Sequence, residues 1–127
     1  MGIHFPDPKI LSETKAYWDS ANQGILLVKV CKDCDEAHFY PRDICPYCLS
    51  ENTEWRQSSG IGHIYSFSVV EKELEHLILS YVTLQEGVTM MTNIVECSVD
   101  DLEIGAEVEV DFVKSESGQS VPVFKLK

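Results

Sequence analysis

The spacing of apolar residues changes once along this chain, from a helical period near the start to a strand period through the second half. Between residues 11 and 24, Leu11, Ala16, Tyr17, Trp18 and Ala21 form a loose stripe at helical spacing. Ser12 is placed to cap that helix and Gly24 to stop it, with Lys15 standing where a capping box has an acid. The stripe predicts a short amphipathic helix packed on the body. A sharper alternative is a docking helix that anchors a partner through Tyr17 and Trp18. Residues 25–30 then read as a short apolar strand, and Thr53, Trp55 and Gln57 alternate along another.

From Gly60 onward period two dominates. Ile61, His63, Tyr65, Phe67 and Val69 are expected on one face of a first strand. The segment LILSYVTL is apolar on both faces, Glu86 and Gly87 make a turn, and VTMMTNIVEC follows, so 79–84 and 88–95 predict a hairpin. Val108, Val110 and Phe112 face one way on a fourth strand, and Glu107, Glu109 and Asp111 face water. SESGQS turns the chain into VPVFKL, a fifth strand that Pro122 assigns to an edge. Five consecutive strands predict a small, partly open barrel of OB type. The fold expected is mainly β: an N-terminal helical segment at 1–24, a ribbon at 25–57 and a five-stranded OB-fold barrel at 58–127.

The ribbon carries the candidate chemistry. Cys31-Lys-Asp-Cys34 and Cys45-Pro-Tyr-Cys48 are two C-x-x-C knuckles separated by ten residues, enough for a hairpin that brings the pairs together. Two intervening residues let the chain turn and aim both sulfurs at one ion. Four thiolates complete a tetrahedral site with no open position, which is the mark of a structural metal rather than a catalytic one. Zinc is the expected ion; iron also suits four sulfurs, and Cys45-Pro-Tyr-Cys48 resembles a rubredoxin knuckle. Asp35 and Leu49 occupy the position after each knuckle where glycine is common, so the second is expected to be strained. Phe39 and Tyr40 read as aromatic cover at a hairpin tip, and Arg42, with Lys32 nearby, as an anion contact through its planar fork of donors.

Other residues offer less. Cys97 reads as an inert thiol, or as a nucleophile if an activating base lies close in space. His4, His38, His63 and His76 are scattered and form no triad, although His38 is a spare metal ligand. Tyr65 and Phe67 either pack the core or stack a base or adenine ring.

Charge narrows the partners. The net charge of −11 divides into −3 over residues 1–56 and −8 over residues 57–127. Nucleic-acid affinity rests on Lys and Arg neutralising phosphates, so the acidic half is poor material for such a groove. Five cysteines without an export signal point to metal in a reducing compartment. No apolar run reaches the roughly 20 residues of a membrane-spanning helix. Pro6 stands where a myristoylation signal has Ser or Thr. A cytoplasmic location is expected.

With these residues in hand, the order Tyr17-Trp18, CKDC, FYPRDICPYC and Gly60-x-Gly62-x-x-Tyr65-Ser66-Phe67-Ser68 resembles a known family. Its members join a rubredoxin-like zinc ribbon to an OB fold and accompany acyl-CoA enzymes. The likeness continues through LQEGVTMMTNIV and LEIGAEVEV and spans residues 14–126. It implies a noncatalytic accessory subunit, not a free-standing enzyme, that associates with a thiolase, a hydroxymethylglutaryl-CoA synthase or a MaoC-like hydratase. It implies a metal role for Cys31, Cys34, Cys45 and Cys48, and a contact between CoA and the barrel; the ribbon residues Arg42 and Lys32, read above as anion contacts, are the candidates for its phosphates. The segment EKELEHLILS departs from the family in being acidic: Glu71, Glu73 and Glu75 would repel phosphate. The competing reading from the same modules is a nucleic-acid-binding unit, and a third is an enzyme or iron-loaded electron carrier.

Overall fold

A computed structural model describes residues 5–72 and 75–127, with the side chains of 72, 75 and 76 left out. Glu73 and the side chain of Glu75, two of the three acids expected to repel phosphate, lie outside the described residues.

The helix α1 covers Lys15–Ala21, later than the stripe predicts. Its start is displaced because Thr14 Oγ1 accepts the Leu11 N–H at 3.0 Å and so closes a turn before the helix begins. Thr14, not Ser12, is the cap residue, and its side chain makes no capping bond. Tyr17, Trp18 and Ala21 are buried, while Leu11 and Ala16 are exposed. The docking-helix alternative fails on this point: both proposed anchors face inward. Tyr17 meets Trp18 edge-on at 5.0 Å between ring centroids, and Phe39 and Tyr40 complete the aromatic group. The Trp18 Nε1–H donates to the Tyr40 hydroxyl at 2.8 Å. Phe39 and Tyr40 thus pack beneath the helix and join the central core.

Three strands form the ribbon sheet: β1 Leu27–Cys31, β2 Ala37–His38 and β3 Thr53–Gln57, in the order β2-β1-β3 and all antiparallel. β1 begins two residues after the expected 25–30 strand, and β2 was not expected. A five-stranded barrel follows: β4 Ile61–Lys72, β5 Glu75–Leu84, β6 Thr89–Ile94, β7 Glu107–Lys114 and β8 Ser120–Leu126. The strands close in the order β4-β5-β6-β8-β7.

Two details correct the sequence reading. The expected single face of β4 is split, because the register shifts between Ile64 and Ser66. Such a bulge places two successive residues on one side and reverses the alternation beyond it. His63 and Tyr65 therefore face out and Ile64 faces in, whereas Phe67 and Val69 pack against the core. Pro122 marks no free edge, because the barrel is closed. β8 meets β6 through the single pair Ile94–Phe124, and Pro122 lies outside that contact. A seam this short needs no N–H from the proline.

The core runs through both parts. Leu26, Val28 and Val30 from the ribbon side join Ile64, Val82, Val108 and Phe124 of the barrel in one buried cluster. Gly60 and Gly62, which open β4, permit close packing: a Cβ would stand 2.5 Å from Val110 Cγ1 at the first and 2.5 Å from the Thr83 carbonyl at the second. Gly60 also has a φ of +78°, which an L side chain rarely adopts.

Candidate metal centre

Both knuckles follow one backbone plan. The Asp35 N–H donates to the Cys31 carbonyl at 2.9 Å, and the Leu49 N–H donates to that of Cys45 at 2.9 Å. Cys31 N–H reaches the Glu36 carbonyl and Cys45 N–H the Ser50 carbonyl, each at 2.9 Å. The two loops are thus repeated around an approximate two-fold. Each turns back through a left-handed residue, Asp35 at φ 61° and Leu49 at φ 66°. Asp tolerates that conformation better than Leu, so the second knuckle is the strained one. Asp33 ties the loops together by accepting from Ser50 Oγ and from Asn52 Nδ2.

The four sulfurs converge. Cys31 Sγ lies 3.6 Å from Cys48 Sγ, Cys34 Sγ lies 3.7 Å from Cys45 Sγ, and no pair is separated by more than 4.8 Å. Four thiolates about 2.3 Å from a central zinc stand about 3.8 Å apart at tetrahedral angles. The cage therefore fits a tetrahedral ion with small adjustment. Cys31 and Cys45 are fully buried and Cys48 is exposed, so the ion's position is closed on the ribbon side and near the surface on the other. The Tyr47 N–H points at Cys45 Sγ from 3.4 Å, a donor suited to a charged sulfur. With protons alone, the thiols conflict. Backbone N–H donation, led by that of Cys34, lowers the Cys31 pKa to about 7, while desolvation pushes Cys34 up to about 12. A dication resolves the conflict by taking the sulfurs as thiolates and releasing their protons.

His38 does not join the cage. Its ring is buried, and Nε2 accepts the Arg42 N–H at 3.2 Å. Desolvation holds its pKa below the usual histidine range. Nearby Lys29 is also buried, 4.0 Å over the Trp55 ring and 3.7 Å from Asp43 Oδ1. Sequence patterning gave no warning of a buried lysine in β1; only the facing Trp55, its register partner, explains it. Arg42 lies 3.7 Å from Glu13, and Lys32 lies 3.9 Å from Glu54, with both cations about half exposed. Glu13 also accepts the Asp43 N–H at 3.1 Å, so it fastens the chain before α1 to the ribbon tip.

The remaining candidates separate. Cys97 is half-buried, and desolvation first, then the charge of Asp101, raises its pKa. Both effects oppose the thiolate that a nucleophile requires. It borders a depression of about 450 Å³ that also holds Glu96 and Asp100. Tyr65 is exposed and Phe67 half-buried against the core. Among the described residues no helix is long and apolar enough to cross a membrane.

Two thiol knuckles under a three-stranded sheet, followed by a closed five-strand barrel, define a rubredoxin-like ribbon joined to an OB fold. Family models agree: the rubredoxin-like zinc ribbon domain of ChsH2 matches residues 18–54, and the C-terminal OB-fold domain of ChsH2 matches residues 55–113. A DUF35 domain-containing scaffold protein of Methanothermobacter thermautotrophicus is 34% identical over 83% of this chain and 85% of its own length. A probable enoyl-CoA hydratase alpha subunit of Thermomonospora curvata is 28% identical over 94% of this chain, which spans only 39% of that protein. Among solved structures, a chain of the Ltp2–ChsH2(DUF35) aldolase superposes with a TM-score of 0.83 at 26% identity, covering 94% of this chain and 98% of that one. The chain belongs to the DUF35 family, with the ChsH2 arrangement of zinc ribbon and OB fold.

Proposed function

We propose that the chain is a noncatalytic accessory subunit, held in shape by one structural zinc, that docks on a thiolase-like or other acyl-CoA enzyme. The observation that carries this reading is the four-sulfur cage set in an architecture shared almost end to end with a chain of the Ltp2–ChsH2(DUF35) aldolase. Cys31, Cys34, Cys45 and Cys48 are the zinc ligands in this proposal. A closed thiolate site offers no position for substrate, so the ion's role is to hold the ribbon. Cys97, the one thiol outside the cage, is biased against ionisation and so is a poor nucleophile. Arg42 and Lys32, half exposed beside the knuckles, are the proposed contacts for CoA phosphates. Four reduced thiols suit a cytoplasmic setting.

Co-expression with a thiolase-like enzyme of the same organism tests the proposal. One zinc per chain and a stable complex that alters the enzyme's activity or stability are expected. A chain that ignores that enzyme and leaves its activity unchanged overturns the accessory role, and a red, iron-loaded preparation overturns the choice of metal. The nucleic-acid alternative fares worse on charge: strands β4 to β6, where OB folds stack bases, carry no Lys or Arg between residues 61 and 70, 77 and 85, or 87 and 95.

A further inference from the structure

Over residues 61–70, 77–84 and 89–94, strands β4, β5 and β6 carry no Asp, Glu, Lys or Arg, in a chain that is 24% charged overall. Register sets two rows across these strands: Ser66, Tyr81 and Met91 are neighbours, as are Ser68, Leu79 and Asn93. Tyr81 and Met91 are 47% and 56% exposed, and Tyr65 stands free beside them on the bulge. Along the rows lies a shallow groove of about 200 Å³ lined by Ser66, Ser68, Leu79, Tyr81 and Met91, where the edge of the inward-packed Phe67 also reaches. The outer face of β7 and β8 differs. There Lys125 lies 3.9 Å from Asp111 and Lys127 lies 3.6 Å from Glu107, as on an ordinary solvated surface. The described border of that uncharged stretch is acidic, because its strands run into exposed Glu71, Glu86 and Glu96. Charge depletion with exposed tyrosine and methionine is the composition of an interface centre, and a charged border is that of its rim.

We infer that this β4–β5–β6 face is where the chain docks on its enzyme, and that the enzyme presents an apolar centre ringed by Lys and Arg. The inference rests on the accessory-subunit reading and names the surface that reading uses. Charge decides between occupants. A second copy would bring one acidic rim against another, within a half-chain already at −8. A nucleic acid would meet no cation on the face over residues 61–70, 77–84 and 89–94. A protein with a basic rim is complementary on both counts.

The test uses the full chain and a thiolase-like enzyme of the same organism that co-purifies with it, with affinity measured by calorimetry. Tyr81→Glu and Met91→Glu place a charge on an exposed position and should leave the melting temperature nearly unchanged while weakening association roughly tenfold or more. Tyr81→Phe should bind as the wild type does, and Lys125→Glu on the opposite face should too. Reversing the rim with Glu71→Lys and Glu96→Lys should slow association and flatten its salt dependence. If the wild-type chain does not bind the enzyme, the accessory reading falls and this inference falls with it. If the wild type binds and both Glu variants bind equally well, this inference alone is overturned. A homodimer in sedimentation that Tyr81→Glu dissolves would also overturn it, by assigning the face to a second copy.

Discussion

The ribbon and the barrel reach order by different physics. The barrel buries Ile64, Val82, Val108 and Phe124 almost completely, and its five strands close on one another. The ribbon sheet has a two-residue strand at one side, and the fully buried residues nearest its knuckles are Cys31 and Cys45. Apolar burial scales with area, and the knuckle loops have little of it to offer. In the proposed reading a metal substitutes for the missing core there; structural zinc supplies on the order of 10 kcal/mol in small modules. On that reading one part of the molecule depends on an ion and the other does not, even though α1 and β1 share the barrel's cluster.

The largest expected effect is loss of the ion. Cys45→Ser, or a strong chelator, should unfold the ribbon while the barrel keeps its far-ultraviolet β signature, with the released zinc counted by a colorimetric dye. Complete unfolding of both parts in one transition would break the comparison, because it would make the metal a keystone of the whole chain. Next comes the barrel. Phe124→Ala removes a fully buried ring and should cost about 3–5 kcal/mol in denaturant unfolding, with zinc still bound below the transition.

Acid should act on the ribbon first. Metal binding requires thiolates, so protons compete with the ion as pH falls. His38 acts in the same direction. Burial lowers its folded pKa, so its contribution is present above the ordinary value of 6.5 and is lost as pH falls toward the folded pKa. Zinc release monitored below pH 6.5 should precede loss of barrel structure, and simultaneous loss would count against the division. The smallest effect sharpens the comparison from the other side. Leu49 is 75% exposed at φ 66°, so Leu49→Gly removes backbone strain without losing packing and should raise the ribbon's stability by about 1 kcal/mol. An unchanged or lower melting temperature would mean that Leu49 packs in a way its exposure does not reveal.

The spacing of Cys31, Cys34, Cys45 and Cys48 announced a shared site because a C-x-x-C turn is local: few backbone angles decide where its sulfurs point. The left-handed Asp35 and Leu49 were legible for the same reason, since each position is defined by the turn that it completes. The hairpin of β5 and β6 also followed from alternation and the turn at Glu86-Gly87. The burial of Tyr17 and Trp18 was less decidable. An amphipathic stripe shows which face is apolar and not whether the protein itself or a partner covers it, and here Phe39 and Tyr40 from a later loop do so.

By itself, then, the sequence determined which four cysteines converge, the type of most elements and the acidic character of the barrel half, all of which depend on residue identity or on neighbours a few positions apart. Tertiary structure alone decided which side of β4 faces in, where Pro122 sits relative to the seam and which aromatics meet beneath α1. Those outcomes hinge on a one-residue bulge, on barrel closure and on contacts between distant segments. Period-two patterning cannot register them, because a single inserted residue reverses every side chain beyond it without changing the composition of the strand.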